Sequence, residues 1–308
     1  MNGLHQHAKE YLAIRRSLGF KLRGQDRLLE DFVDYLDEIG TGTITAEAAV
    51  TWATRPAGVQ PVRWAQRLCA VRGFARYLHG LDPAVEVPSG DLLPGRRQRP
   101  VPYLYSQADI TRLVEAATTL RPALRAATHE ALFGLLAITG MRIGEAIALD
   151  RNNVDLEAGT LDINDAKFRK HRRLPLHPSS VTALRRYVEL RDELCPRPKV
   201  LSFFVSTRGT RLLDVCVHDV FRELVNRLGL GAQPGARPPR LHGLRHTFAV
   251  ATLRDWYQSG TDVAGHLPVL SAYLGHSHPA STYWYLQACP ELLGLAAERL
   301  ERSWGGSR

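Results

Sequence analysis

The sequence predicts a mainly helical protein of two domains with one small β-sheet, and three observations carry that prediction. The first 80 residues break into short amphipathic segments, and a Pro/Gly/Arg-rich stretch, VPSGDLLPGRRQRPVP, follows them at 87–102. Beyond it a long helical pattern is interrupted by two strand-like runs around a polar, basic turn. A chain of 308 residues, 44% of them hydrophobic, is long enough to bury a core in each of two domains.

In the N-terminal part, helices are expected at Leu4–Ser17, Asp26–Ile39, from Thr45 onward, and at Pro61–His79, a series that makes a small bundle. The fourth places Trp64, Leu68, Val71, Ala75 and Leu78 on one stripe, flanked by Arg63 and Arg67 on one side and Arg72 and Arg76 on the other, with no acidic residue. The second is the reverse, with Asp26, Glu30, Asp31, Asp34, Asp37 and Glu38 against Arg27 alone. If the bundle touches a polyanion, the fourth helix faces its backbone and the second faces away. The plainer alternative for both is a solvated charged face. The proline-rich stretch with Arg96, Arg97 and Arg99 reads as a linker, either crossing a phosphate backbone or simply exposed as a hinge. The expected division is therefore 1–87, a linker over 88–102, and a second domain over 103–308.

That second domain opens on a capping-box pattern, Ser106 to Asp109, before a helix over Ile110–Thr118. A further helix runs over Ala123–Ile138, and Gly140 ends it, so that Arg142 is presented at a helix-to-helix junction. The runs Thr160–Asn164 and Arg172–Leu176 form a hairpin with Lys167 at its tip. Helices are expected at Ser179–Glu193, Asp214–Leu228 and Leu244–Tyr257, with a short strand at Phe203-Phe204-Val205 between the first two. An amphipathic helix over Pro290–Arg302, with Leu292, Leu293, Leu295, Ala296 and Leu300, closes the chain.

Composition narrows the function classes. No apolar run approaches the roughly 20 residues needed to span a bilayer, and no signal-peptide core precedes the first charged segment, so a soluble cytoplasmic protein is expected. Cys69, Cys195, Cys216 and Cys289 lack metal-ligand spacing and read as reduced, buried thiols. The net charge of +9 is uneven: residues 1–95 carry 11 basic against 11 acidic side chains, and the remainder 29 against 20. A basic C-terminal part suits a polyanionic partner, although many proteins this basic have no nucleic-acid role.

Four segments carry chemistry-bearing residues in order. Thr139-Gly140-Met141-Arg142-Ile143-Gly144-Glu145 is followed, 25 residues after its arginine, by Lys167. Then come Leu241-His242-Gly243-Leu244-Arg245-His246, Leu274-Gly275-His276, and Tyr285 nine residues later. Singly each has a plain reading: HxxR as a surface helix feature, Arg142 with Glu145 as a helix ion pair, Tyr285 as a core tyrosine. His276 and His278 lack a third ligand of suitable spacing, so no metal is expected.

Taken together these segments resemble the tyrosine recombinases of the phage-integrase and Xer class, from about Leu104 to Glu301. The resemblance implies a SAM-like core-binding DNA clamp at the N-terminus and a tyrosine-recombinase catalytic domain after it. It assigns Arg142, Lys167, His242, Arg245, His276 and the nucleophile Tyr285 as catalytic, with Glu145 in support. The segment Ala166 to Leu176 resembles the family hairpin GKGxKxRxVPL, but Ala166 and Phe168 replace its two glycines, which leaves Lys170 as a rival to Lys167; spacing favours Lys167. Tyr283 is the rival nucleophile. On a helix its side chain diverges from that of Tyr285 by about 160°, so only one can face the site, and register from His276 selects Tyr285. Arg63, Arg67, Arg72, Arg76, Arg96, Arg97, Arg99, Arg169 and Lys170 are the expected DNA contacts.

The implied chemistry is a 3′-phosphotyrosyl link with a free 5′-hydroxyl, without ATP or metal, in a tetramer on two double-stranded DNA sites, alone or beside other recombinases. Guanidinium forks suit the extra charge of the transition state, and a lysine with a lowered pKa suits protonation of the leaving 5′-oxygen. The tail after Tyr285 resembles those of recombinases carried by transposable elements. Such tails pack on a neighbouring protomer in the family, whereas packing on its own domain is the simpler alternative. A type IB topoisomerase and a catalytically silent architectural subunit are the other readings.

Overall fold

The computed structural model describes residues 3–20, 22, 24–95, 101–165, 170–231, 238–276 and 278–305, which form two compact units that part in sequence at residues 96–100. The N-terminal unit is four helices, α1 (Gly3–Ser17), α2 (Gln25–Glu38), α3 (Ala46–Thr54) and α4 (Pro61–His79). Their starts follow local chemistry. The Thr45 hydroxyl accepts from the Ala48 N–H at 3.1 Å and caps α3, and Pro61 opens α4, where its missing N–H costs nothing. Leu29, Phe32 and Leu36 of α2 pack with Trp52 of α3 and with Val71 and Phe74 of α4.

Arg67 is built into this bundle. Its guanidinium lies 3.8 Å over the Trp52 ring, donates to Asp31 at 3.1 Å and to the Trp52 carbonyl at 3.3 Å. This corrects the expectation that Arg67 faces DNA, because its charge is neutralised and its flat face covered within the helices. Arg63 and Arg76 are exposed and Arg72 is half-buried. Arg96, Arg97 and Arg99 lie outside the described residues.

The C-terminal unit holds α5 (Gln107–Thr118), α6 (Ala123–Thr139), α7 (Ile143–Ala148), β1 (Val154–Asp155), β2 (Thr160–Asp165), β3 (Lys170–Pro175), α8 (Pro178–Leu194), α9 (Asp214–Leu228), α10 (His242–Gln258), α11 (Val263–Leu274), α12 (Ala280–Ala288) and α13 (Pro290–Gly305). The capping box before α5 forms as read, with Ser106 Oγ accepting from Asp109 N at 3.1 Å and the Asp109 carboxylate from Ser106 N at 3.0 Å. The strands make an antiparallel sheet in the order β1-β2-β3, with Leu161 opposite Leu174 and Ile163 opposite Arg172. Leu161, Ile163 and Leu174 turn one sheet face onto a core shared with Leu113, Phe133, Leu184, Tyr187 and Phe221. A second cluster joins α10 to α13 through Leu253, Leu267, Leu270, Leu274, Tyr285, Cys289 and Leu292.

Two expectations need correction. Phe203-Phe204-Val205 is not a strand: Ser202 and Val205 form single bridges only, to Asp150 and Arg211. The segment is buried, and side chains replace a partner strand, since the Phe203 carbonyl accepts from Arg191 at 2.7 Å and from the Tyr187 hydroxyl at 3.2 Å. Of the cysteines only Cys289 is buried; Cys69 and Cys216 are exposed and Cys195 is intermediate. Of the two arrangements left open for the last helix, α13 packs on its own unit, with Leu292 buried beside α10 and Arg299 donating to the Thr261 carbonyl at 2.6 Å, while Leu293 stays exposed. Among the described residues no helix is long and apolar enough to cross a membrane.

Candidate active site

The site begins where α6 ends. Gly140 adopts the left-handed conformation (φ 59°), and a Cβ there would lie 2.6 Å from the Phe248 ring, so the turn requires glycine. The chain reverses and Arg142 becomes the N-cap of α7. Its N–H donates to Glu145 Oε2 at 2.8 Å, Nη1 to Glu145 Oε1 at 2.7 Å, and Nη2 to the Gly275 carbonyl at 2.9 Å. Glu145 also accepts from Arg172 Nη2 at 2.7 Å. Burial pushes the Glu145 pKa up, but hydrogen bonds from Arg172 and Arg142 and the Arg172 charge outweigh it, and the net shift is downward.

Helix α10 starts at His242, two residues earlier than expected, which puts His242 and Arg245 one turn apart on one face. Arg245 is 2% exposed. Its Nη1 donates to the Gly140 carbonyl at 2.8 Å and its Nη2 to the Leu274 carbonyl at 2.7 Å, and Tyr285 lies close enough to act on its charge. Burial, and next the Arg142 charge, lower its pKa to about 10, with Tyr285 and Glu145 opposing, so it stays a cation at neutral pH. His242 as a whole remains open to solvent, but crowding of its ring and the charges of Arg245 and Arg142 draw its pKa down to about 4. The imidazole is therefore neutral near pH 7.

Gly275 ends α11 in the left-handed region (φ 66°) and turns His276 toward α12. His276 Nδ1 lies 2.8 Å from the hydroxyl of Thr282, and its ring stacks on Tyr285 with centroids 6.1 Å apart. The rings of His246 and Trp284 also pack on Tyr285, each at 5.5 Å. Helix α12 separates the two tyrosines by facing: Tyr285 is 2% exposed and Tyr283 49%.

Arg142, Glu145, His242, Arg245, His276 and Tyr285 are thus gathered from α6–α7, α10, the α11–α12 turn and α12. Lys167 and Arg169 lie outside the described residues, and Lys170 opens β3 with its side chain outside the description. Arg172, His246 and Thr282 belong to the cluster and were missed as site residues. The signal for Arg172 was legible, since it stands on the same pleat face as Leu174, where a strand over a core should be apolar. Two adjacent buried or half-buried guanidiniums fit a phosphate-type anion. Among the described residues no group of three His, Cys, Asp or Glu side chains is placed to hold a metal ion.

Residues 104–291 match the phage integrase family. The chain belongs to the phage integrase family. It is a tyrosine recombinase, and the activity of that family is site-specific DNA recombination. This phage integrase family member is 44% identical to a Sinorhizobium fredii protein named integrase/recombinase y4rB over 99% of each chain. It is 30% identical to the tyrosine recombinase XerD of Rhizobium meliloti, over 88% of this chain and 86% of that one. Among solved structures, the Tn1549 transposon integrase in complex with transposon right end DNA has the same fold (TM-score 0.71, 16% identity, 97% and 98% of the two chains). So does the XerH site-specific recombinase bound to palindromic difH substrate (TM-score 0.69, 19% identity, 91% and 80%).

Proposed function

We propose that this recombinase cuts and rejoins double-stranded DNA through a 3′-phosphotyrosyl intermediate and serves a mobile element. The observation that carries the reading is the buried Tyr285, stacked on His276 and close enough to Arg245 to act on its charge, within a cluster that also holds Arg142 and His242. Tyr285 Oη attacks the scissile phosphorus, forming the P–O(tyrosine) bond as the P–O5′ bond breaks. Its proton passes to an imidazole packed on its ring, and the departing 5′-oxygen takes a proton from Lys167. Arg142 and Arg245 hold the non-bridging oxygens and His276 adds a hydrogen bond. Glu145 orients Arg142. Because Tyr285 is almost wholly covered, α12 must shift to admit the phosphate. Reversal by the free 5′-hydroxyl of the exchanged strand reseals the DNA, so the cycle needs neither ATP nor metal.

In this reading residues 1–87 are the core-binding clamp, 88–102 the linker and 103–308 the catalytic domain. Arg63, Arg72 and Arg76, with the linker arginines, Arg169 and Lys170, contact phosphates. DNA as ligand draws support from the DNA-bound fold neighbours, and assembly as a tetramer on two sites from the likeness to a lambda integrase tetramer bound to a Holliday junction. A mobile-element role draws support from the transposon integrase neighbours and from the 44% identical integrase/recombinase.

The test uses genomic fragments recovered by binding to the protein, rebuilt as nicked suicide duplexes and incubated in EDTA with wild-type, Tyr285→Phe and Tyr283→Phe proteins. A covalent protein–DNA band on a denaturing gel is expected from wild type and Tyr283→Phe and not from Tyr285→Phe. A duplex that is bound by wild type and gives no adduct would instead favour an architectural subunit.

A further inference from the structure

Strand β3 alternates in a way that leaves one residue out of place. His171 and Arg173 point to the exposed side, where Arg173 pairs with Asp162 at 2.7 and 3.0 Å. Arg172 and Leu174 point to the other, and Leu174 is part of the core. A guanidinium whose side chain is only 13% exposed therefore stands at a core-facing position. All three of its nitrogens have partners: Nη2 donates to Glu145 Oε2 at 2.7 Å, Nη1 to Glu145 Oε1 at 3.3 Å, and Nε to the Tyr273 carbonyl at 2.9 Å.

These bonds close a ring through the site. Arg142 donates to Glu145, Glu145 accepts from Arg172, Arg172 donates to Tyr273 O, and two residues on Gly275 O accepts from Arg142. The ring leaves no slack, since a Cβ on Gly275 would lie 2.6 Å from Arg172 Nη1. Charge follows geometry. One carboxylate shared by two guanidiniums leaves a net positive charge, and of the two Arg142 is the more open, at 38% exposed against 13%. Were Arg172 absent, Glu145 would be free to take both Arg142 guanidinium donors as an even pair and draw it off the Gly275 carbonyl.

We infer that Arg172 is a positioning residue for strand cleavage: by occupying the outer edge of Glu145 and the Tyr273 carbonyl, it keeps the Arg142 fork turned toward the scissile phosphate and fixes the turn that carries His276. The inference rests on the proposed reading of the site. It ties the hairpin strand that opens with Lys170 to both the first arginine and the second histidine. It predicts an effect on the cleavage step and not on DNA affinity, because Arg172 itself is covered and its guanidinium nitrogens are already taken up by Glu145 and Tyr273.

The experiment compares wild type, Arg172→Met, Arg172→Lys, Arg142→Ala and the Arg142→Ala/Arg172→Met double variant. It measures single-turnover formation of the covalent adduct on the suicide duplex, DNA affinity by fluorescence anisotropy, and thermal melting. Arg172→Met should slow cleavage by about 10-fold or more with affinity within about twofold, and should add little in the Arg142→Ala background, since residues acting as one unit are non-additive. Should Arg172→Met fail to fold, Arg172→Lys is read in its place. An ammonium keeps the charge but cannot reach both carboxylate oxygens and the carbonyl, so cleavage should again fall with affinity held. Wild-type rates, or losses that multiply in the double variant, overturn the inference while leaving the site intact. No adduct from wild type sinks the reading of the site, and this inference with it.

Discussion

Arg245 stands close enough to Tyr285 to feel its charge, and its two terminal nitrogens donate to the carbonyls of Gly140 and Leu274. One side chain therefore closes the ends of α6 and α11 and meets the tyrosine of α12. Arg245→Met should abolish adduct formation and also leave two carbonyls without their donor, at a cost of about 2–4 kcal/mol. Urea denaturation followed by circular dichroism measures that loss. Tyr285→Phe, which leaves both carbonyl bonds of Arg245 in place, should cost no more than about 1 kcal/mol while abolishing the adduct equally.

Much of this site was legible because it rests on local rules. Gly140 ends a helix, which places Arg142; a three-residue spacing puts His242 and Arg245 together; and the 100° step of a helix divides Tyr285 from Tyr283. The core-facing place of Arg172 on its strand was legible, but its role was not, because its partners stand 27 residues before it and 101 after it, beyond any local pattern. Arg67 misled for a related reason, since helical spacing shows which face a residue takes but not that Trp52 and Asp31 lie against it. Helix α11 was missed where Pro268 interrupts it, and α12 was read only as helical facing around Tyr283 and Tyr285, without bounds, where a histidine-serine-proline run precedes it. Both are held by burial of Leu267, Leu270, Leu274 and Tyr285, which outweighs weak local propensity.

Glu145→Gln should destabilise the protein by about 3 kcal/mol at pH 7, because two guanidiniums would then face each other without their shared carboxylate. The sign of the pH dependence follows from its lowered pKa. The stabilisation is complete above the ordinary value near 4.5 and is lost as pH falls through the lower folded value. Wild type and variant should therefore converge in acid, as urea midpoints taken from pH 7 down to pH 3 will record.

His242 acts with the same sign. Its pKa is drawn from 6.5 to about 4 on folding, so the unfolded chain binds more protons between those values and stability declines as pH falls from about 6.5 to about 4. Buried His129, whose pKa is also lowered by burial, contributes in the same direction. His242→Gln should flatten part of that slope, and adding His129→Gln should flatten it further above about pH 4.5, where Glu145 does not yet contribute. In the wild type, the His242 ring proton resonances should not titrate between pH 6 and pH 8.

In the N-terminal unit, stability and DNA affinity should separate by residue. Arg67→Met removes the cation over Trp52 and the partner of Asp31, so the melting temperature should fall by several degrees for a loss of about 1–2 kcal/mol. Arg63→Glu and Arg76→Glu sit on exposed positions and should leave melting unchanged. If the clamp assignment holds, both should weaken DNA binding and reduce its salt dependence by about one counterion each. Titrations at several salt concentrations would reject the assignment if the slope did not move.

Gly275→Ala tests a tight turn of the site. Its positive φ of 66° disfavours any side chain, and the added methyl would stand 2.6 Å from Arg172 Nη1, so the guanidinium must leave Glu145 or the turn must open. A loss of about 1–3 kcal/mol is expected from the backbone conformation and the displaced bonds together. Gly229, which ends α9 at a similar φ of 64° and where an added Cβ would meet nothing within 4 Å, supplies the control. Gly229→Ala should show the backbone cost and retain cleavage, whereas Gly275→Ala should also slow adduct formation, because His276 follows it directly. Equal cleavage rates for the two variants at equal loss of stability would mean that the turn positions no reacting group.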